Sequence, residues 1–508
     1  MVQITNILAT ALLSGIAAGQ SSGYKSCDAL INAGLGDSVL FATGKGDDYS
    51  RSLSSYYSKT VSEILPWCIL QPKSTDEVAK AVKALAPLSA AGQWHIAVRG
   101  AGHSHWASNN VAQGVTIDLA QLNTTVVHLS NCGNSTSCEH VASIGAGSRW
   151  GNVLAETEKY GLGVTGGRVA GVGVAGLVLG GGASFLSGKR GFSCDDVVNY
   201  EVVLADGSVV NANKRKNQRL FKALKGGGSN FGIVTRFDMA AYPAGDLYGG
   251  IFITTWAHRE TVVETLINVV KNNQDHPADS QIAMYQYRSD QGFPMVGSIP
   301  VNADGDANSP RFTALEAIPK LVDLRRKWSY GAMIQSMNDS GGQRYVWFSL
   351  SFHADKRVLD KAAESFLALV EDIKATFPDQ YVSLNYVFQP LPRSWAKVNP
   401  GGNVLGVDTS LKEDSIIWLG QCFVNTPEFE AWFHSKLGVV SAELEAFAES
   451  IGANTPWRYM NYVSPAQDPI KSYGAENVAF IRDVAKEYDP TGFFQTRVNG
   501  GFKISSVV

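Results

Sequence analysis

Four glycine clusters in a fixed order constrain this chain more than any other feature. They are Gly100-Ala101-Gly102, the hexamer over 171–176, Gly180-Gly181-Gly182, and Gly226-Gly227-Gly228 running on to Gly232. Each adjoins an apolar, strand-like run such as Ile96-Ala97-Val98. Glycine reaches φ > 0 without strain and leaves neighbouring backbone N–H groups open, so such loops form concavities suited to a diphosphate. The hexamer alone is a weak signal. It satisfies G-x-G-x-x-G, but three further glycines interrupt the helix that a dinucleotide fingerprint requires. The ordered series is specific: it fits a long dinucleotide lying extended between two lobes, its pyrophosphate held by backbone N–H groups.

The first cluster ends in Gly102-His103-Ser104, which stands a histidine at the rim of the cradle. Metal readings of the local residues fail on ligand count. His103 and His105 mimic the paired histidines of a cupin strand, yet no carboxylate and third histidine follow on alternating strands. Cys132, Cys138 and His140 lack the fourth ligand of a structural zinc. No metal site is expected.

Periodicity and turn residues order the rest. Ser74-Thr75-Asp76-Glu77 reads as a capping box opening a helix over 78–85, after a strand between Pro66 and Pro72. Strands at 95–99 and 115–119 complete a β-α-β start. A second lobe begins near Val141, with a strand ending at Gly147, a helix over 150–160, and a hairpin turning at Asp206-Gly207. From about Leu247 the glycine clusters cease. Helices over 258–273, 356–376 and 427–450 alternate with strands over 282–288, 345–352, 381–389 and 416–423, which reads as a second α+β domain. The expected division is therefore 1–19, 20–245, 246–455 and a final segment, 456–508.

These motifs resemble the vanillyl-alcohol-oxidase/p-cresol-methylhydroxylase superfamily, in its berberine-bridge-enzyme-like branch, with the match closest over 66–235. The resemblance implies an α+β fold: a two-lobed FAD-binding domain of the p-cresol-methylhydroxylase type and an α+β substrate cap. It implies an FAD-dependent oxidase in which His103 is bonded to the 8α carbon of FAD. Arg99, Gly100, Ala101, Gly102, Ser104, Gly171, Val172, Gly173, Gly176, Asn230, Gly232, Ile233 and Asn461 would surround the cofactor. Tyr459-Met460-Asn461-Tyr462 matches the family's tyrosine-rich motif, which assigns Tyr462, with Tyr459, to catalysis. His105 and Trp106 are expected to line the substrate pocket.

Hydride leaves a carbon bearing OH only as the hydroxyl loses its proton, so a base is needed. A phenol with pKa near 10 serves at neutral pH only beside a cation or strong donor, which the sequence does not name. Many members of the family attach FAD a second time, through cysteine. The matching position here is Val169, so a single linkage is expected. Oligosaccharide oxidases of the family tend to pair the double linkage with an open cleft, and Val169 therefore favours a smaller or more lipophilic substrate, such as an aromatic alcohol or natural-product intermediate.

Composition narrows partners and compartment. A net charge of -3 with no basic stripe argues against nucleic acid, and no apolar run reaches transmembrane length. The apolar stretch 4–18 reads as a secretory signal peptide, and sequons stand at Asn123, Asn134 and Asn338. Six cysteines fit an oxidising compartment. Cys132 and Cys138 flank a polar loop whose closure contributes about 2 kcal/mol. Cys27 and Cys68, which look like cysteines of the family's fungal members, are the other expected pair, contributing about 4 kcal/mol. Cys194 and Cys422 are expected as buried thiols. The leading reading is a secreted, monomeric glycoprotein oxidase that acts on a small molecule and passes electrons to O2, giving H2O2. An oligosaccharide oxidase with Trp106 as sugar platform, and a flavin-fold cyclase or binding protein without net redox turnover, stand as alternatives.

Overall fold

Among the described residues three β-sheets organise the fold, a four-stranded, a six-stranded and a ten-stranded one. The computed structural model describes residues 21–44, 46–89, 92–130, 140–498 and 500–507. The leader, the Cys132–Cys138 pair and the Asn134 sequon lie outside the described residues.

In the first sheet Cys68–Leu70 and His95–Arg99 both run parallel to Gly114–Asp118, between them. Parallel neighbours need a crossover, and the helix Thr75–Leu85 supplies it. The Ser74 Oγ accepts from the Glu77 N–H at 3.2 Å, while the Glu77 carboxylate accepts from the Lys73 N–H at 2.8 Å. The cap is therefore present, but its return bond lands one residue upstream of a reciprocal capping box. The Cys27–Cys68 disulfide ties the helix Lys25–Leu30 to this sheet. Replacing both cysteines by serine is expected to cost about 4 kcal/mol by loop closure. The check is a lower urea midpoint, with an m-value that rises as the unlinked denatured chain expands. Cys194 and Cys422 are free and buried.

The second sheet is antiparallel, with Ile233–Pro243 at its centre between His140–Gly145 and Val197–Val203. The helix expected over 150–160 stops at Glu158, followed by Gly161 at φ 67.

The large sheet is covered on both faces, and successive side chains of each strand point to opposite sides of it. From Ser383–Leu391, the residues Leu384, Tyr386 and Phe388 bury against one apolar core, together with Phe366, Val263 and Leu437 of the helices Lys356–Thr376, Arg259–Lys271 and Pro427–Ser450. The alternating residues Asn385, Val387 and Gln389 turn the other way and line a cavity against the first two lobes. After this sheet the chain returns. The Asn461 amide donates to the Leu177 carbonyl at 3.0 Å, and the Ile96 N–H donates to the Arg497 carbonyl at 2.7 Å. Among the described residues no helix is long and apolar enough to cross a membrane.

Candidate active site

A cavity of about 700 Å³ opens where the glycine loops, the large sheet and the returning C-terminal segment meet. The loop following the strand His95–Arg99 contributes Gly100, Ala101, Gly102, His103, Ser104, His105 and Trp106 to its lining. Gly100 is there for space: a Cβ would stand 3.2 Å from the Ala146 carbonyl and 3.4 Å from the Ala175 Cβ. Gly102 is there for conformation, at φ +72, with the Arg99 guanidinium packed beneath it. The later clusters bring Val172, Gly173, Gly176, Gly232 and Ile233 to the same wall. A Cβ on Gly176 would meet no protein atom within 4 Å, so that stretch of backbone is bare toward the cavity.

Three residues assigned to the cofactor from sequence stand behind the wall. The Arg99 guanidinium donates to the Ser52 carbonyl at 2.6 Å and the Ser55 Oγ at 2.6 Å, stacks 3.8 Å over the Tyr56 ring, and lies 3.6 Å from Asp118. Asn230 is fully buried, its amide donating to the Gly227 and Phe502 carbonyls. Gly171 bonds outward: its N–H donates to the Asn338 Oδ1 at 2.8 Å, and its carbonyl accepts from Arg149 at 2.5 Å. These residues shape the loops and do not reach into the cavity.

His103 carries an unused atom. Its ring stacks on Tyr57 at 3.9 Å, and its Nε2 is buried with no hydrogen-bond partner. Tyr57 is anchored in turn, its hydroxyl donating to Asp339 at 2.8 Å and its N–H to the Gly102 carbonyl at 2.9 Å. Burial pushes the imidazole down to about 4, so the ring is neutral at pH 7. A neutral, fixed ring with a free nitrogen beside a glycine-lined cavity fits a covalent flavin ligand.

His105 stacks on Trp347 at 4.6 Å, and Trp106 tilts against Phe502. Burial, aided by the nearby His434, pushes the His105 imidazole down to about 3. The unfolded chain takes up a proton near pH 6.5 that the folded chain refuses, so stability falls below about pH 6.5 and stops falling near pH 3. His105→Phe keeps the ring stack and is expected to recover about 2 kcal/mol at pH 5 relative to pH 7.5. The readout is a smaller fall in Tm on acidification.

The two tyrosines of the C-terminal motif differ in kind. The Tyr459 hydroxyl accepts from the Ala183 N–H at 2.7 Å and the Asn461 amide at 3.0 Å, and burial pushes this phenol up. Tyr462 faces the cavity with chemistry around its oxygen. It accepts from the Arg168 guanidinium at 2.7 Å and donates to the Gln389 Oε1 at 3.1 Å. Arg168 is the cation that the sequence left unnamed. Gln389, Tyr57 and Trp347 were likewise missed, and all four line the cavity. Val169, the position of a second linkage, lines it too and offers no thiol.

The comparisons agree with this geometry. An FAD binding domain family matches residues 66–213. The FAD-dependent monooxygenase drtC of Aspergillus calidoustus is 32% identical over 485 residues, covering 95% of this chain and 90% of its own length. The FAD-dependent monooxygenase tpcD of Cochliobolus heterostrophus is 33% identical, covering 89% of this chain and 87% of its own. Among solved structures, glucooligosaccharide oxidase from Acremonium strictum, with its 6-S-cysteinyl, 8α-N1-histidyl FAD, superposes with a TM-score of 0.72 at 20% identity over 95% of this chain and 99% of its own. Berberine bridge enzyme bound to (S)-reticuline superposes with a TM-score of 0.72 at 15% identity, over 95% and 100%. This chain belongs to the family of FAD-dependent oxidoreductases that includes drtC and tpcD, and it has the fold of the berberine-bridge-enzyme-like enzymes, a p-cresol-methylhydroxylase-type FAD-binding domain with a substrate cap.

Proposed function

We propose that this oxidoreductase carries FAD on a single covalent link from His103 and oxidises an alcohol-type carbon, with Tyr462 as the base. The observation that carries the reading is the hydrogen-bond chain Arg168–Tyr462–Gln389 inside the cavity lined by His103 and the glycine loops. FAD, when bound, supplies a two-electron acceptor that takes hydride from the substrate and gives the electrons up to O2.

The side chains supply position and the proton path. Gln389 and Arg168 fix the phenol oxygen from two sides. If its proton is lost, the resulting phenolate faces a held guanidinium, which offsets the negative charge. A substrate hydroxyl within reach of that oxygen gives up its proton there as its C–H bond breaks. Tyr459, with its oxygen committed to Ala183 and Asn461, positions the motif and is not the base. Arg99 and Asn230 act by holding the glycine loops in shape.

The relatives' names favour a second reading, in which one oxygen atom enters the product. Peroxide yield in isotopically labelled O2 separates the two. The oxidase reading requires H2O2 equimolar with product and no external reductant. Label in the product without peroxide would replace it with monooxygenation.

Secretion, glycosylation and a monomeric state belong to the same proposal, supported by the Cys27–Cys68 disulfide and by exposure of Asn123 and Asn338. Protein recovered from culture medium should elute as a monomer and lose mass on deglycosylation.

A further inference from the structure

The large sheet presents the cavity with a graded surface. Gln286, Asn385 and Gln421 stand in register on three adjacent strands, with Trp347 on a fourth. All four line the cavity. Gln286 Oε1 and Trp347 Nε1 are buried with no hydrogen-bond partner, an arrangement that is costly until something supplies one. Gly297 leaves room for this row, since a Cβ there would stand 2.8 Å from Gln286 Oε1.

Two residues further along the first three strands the chemistry changes. Met284, Val387 and Leu419 form an apolar row there, again in register and lining the cavity, while Ser349 on the fourth strand donates its hydroxyl to the Trp418 carbonyl. Another step brings Gln389, which accepts the hydrogen bond from the Tyr462 hydroxyl. From Asn385 to Gln389 the strand advances roughly 13 Å, so two polar stations stand on either side of an apolar band.

We infer that the substrate is graded in the same way: a hydroxyl at the Tyr462 end, an apolar middle about two rings long, and a far oxygen held by Gln286, Asn385 and Gln421. This rests on reading the cavity as a flavin and substrate site. An oligosaccharide bears hydroxyls along its whole length and would press several of them, unpaired, onto Met284, Val387 and Leu419. The apolar band therefore selects against it.

The test uses the flavin-loaded enzyme and two probes. One is a biphenyl methanol with a phenolic hydroxyl at the far para position; the other is the same alcohol without that hydroxyl. Binding is read anaerobically from perturbation of the flavin band, with cellotriose as a third ligand. The hydroxylated probe is expected to bind about tenfold tighter, a gap that narrows to within about twofold in the Asn385→Leu, Gln421→Leu double variant. Undiminished affinity of that variant for the plain alcohol would show that its site is intact. Equal affinity for both probes, binding of neither, an unchanged preference in the variant, or tighter binding of cellotriose would overturn the inference. Protein purified without flavin would overturn the underlying reading instead, before any ligand is added.

Discussion

Tyr462→Phe is expected to slow reduction of the bound flavin by substrate about 10³-fold while leaving the flavin in place. The substitution removes one oxygen and keeps the ring, so the edge contacts with Tyr459 and Trp347 survive. What is lost is the hydroxyl that meets both Arg168 and Gln389. Arg168→Ala should cost about a hundredfold, because the phenol oxygen loses the guanidinium that holds it and that faces the negative charge developing there. Arg168→Lys should fall between, since an ammonium keeps the charge but not the planar fork. Anaerobic stopped-flow of the flavin band measures all three. A Tyr462→Phe enzyme within about threefold of the parent would remove Tyr462 from the proton path.

Arg168 was within reach of the sequence. It is the sole charged side chain over 161–188, a stretch otherwise built of glycine, apolar residues and small hydroxyls. A lone charge in such a run needs a partner, but nothing local says that the partner is Tyr462, 294 residues away. Tyr57 is similar: its anchor, Asp339, lies 282 residues on. The long strands of the cap were legible because period and length agree. Which face looks into the cavity was not, because both faces are buried and Leu384, Tyr386 and Phe388 are no less apolar than Val387. Arg99 and Asn230 are a different case. They sit inside glycine motifs that bare the backbone, and polar side chains there serve the loop itself, as their internal hydrogen bonds show. The glycines were the readable part: small residues in order require something large to lie against them.

His103→Ala is expected to convert flavin from a bound group that stays with the polypeptide into one that leaves it. Acid precipitation of the parent should give a yellow pellet and clear supernatant; the variant should give the reverse. Three observations converge on this. The His103 ring is clamped by Tyr57, its Nε2 has no partner, and burial keeps it neutral, so a lone pair is available for a bond to carbon. Tyr57→Leu, which frees the ring, should leave a mixed population with part of the flavin unlinked. Because Val169 offers no sulfur, no second tether remains to mask the loss, and release from His103→Ala should be complete. A partly yellow variant pellet would mean a second link elsewhere in the chain. A colourless parent pellet would mean that the glycine loops hold FAD without any bond, and that the free nitrogen of His103 serves the substrate instead.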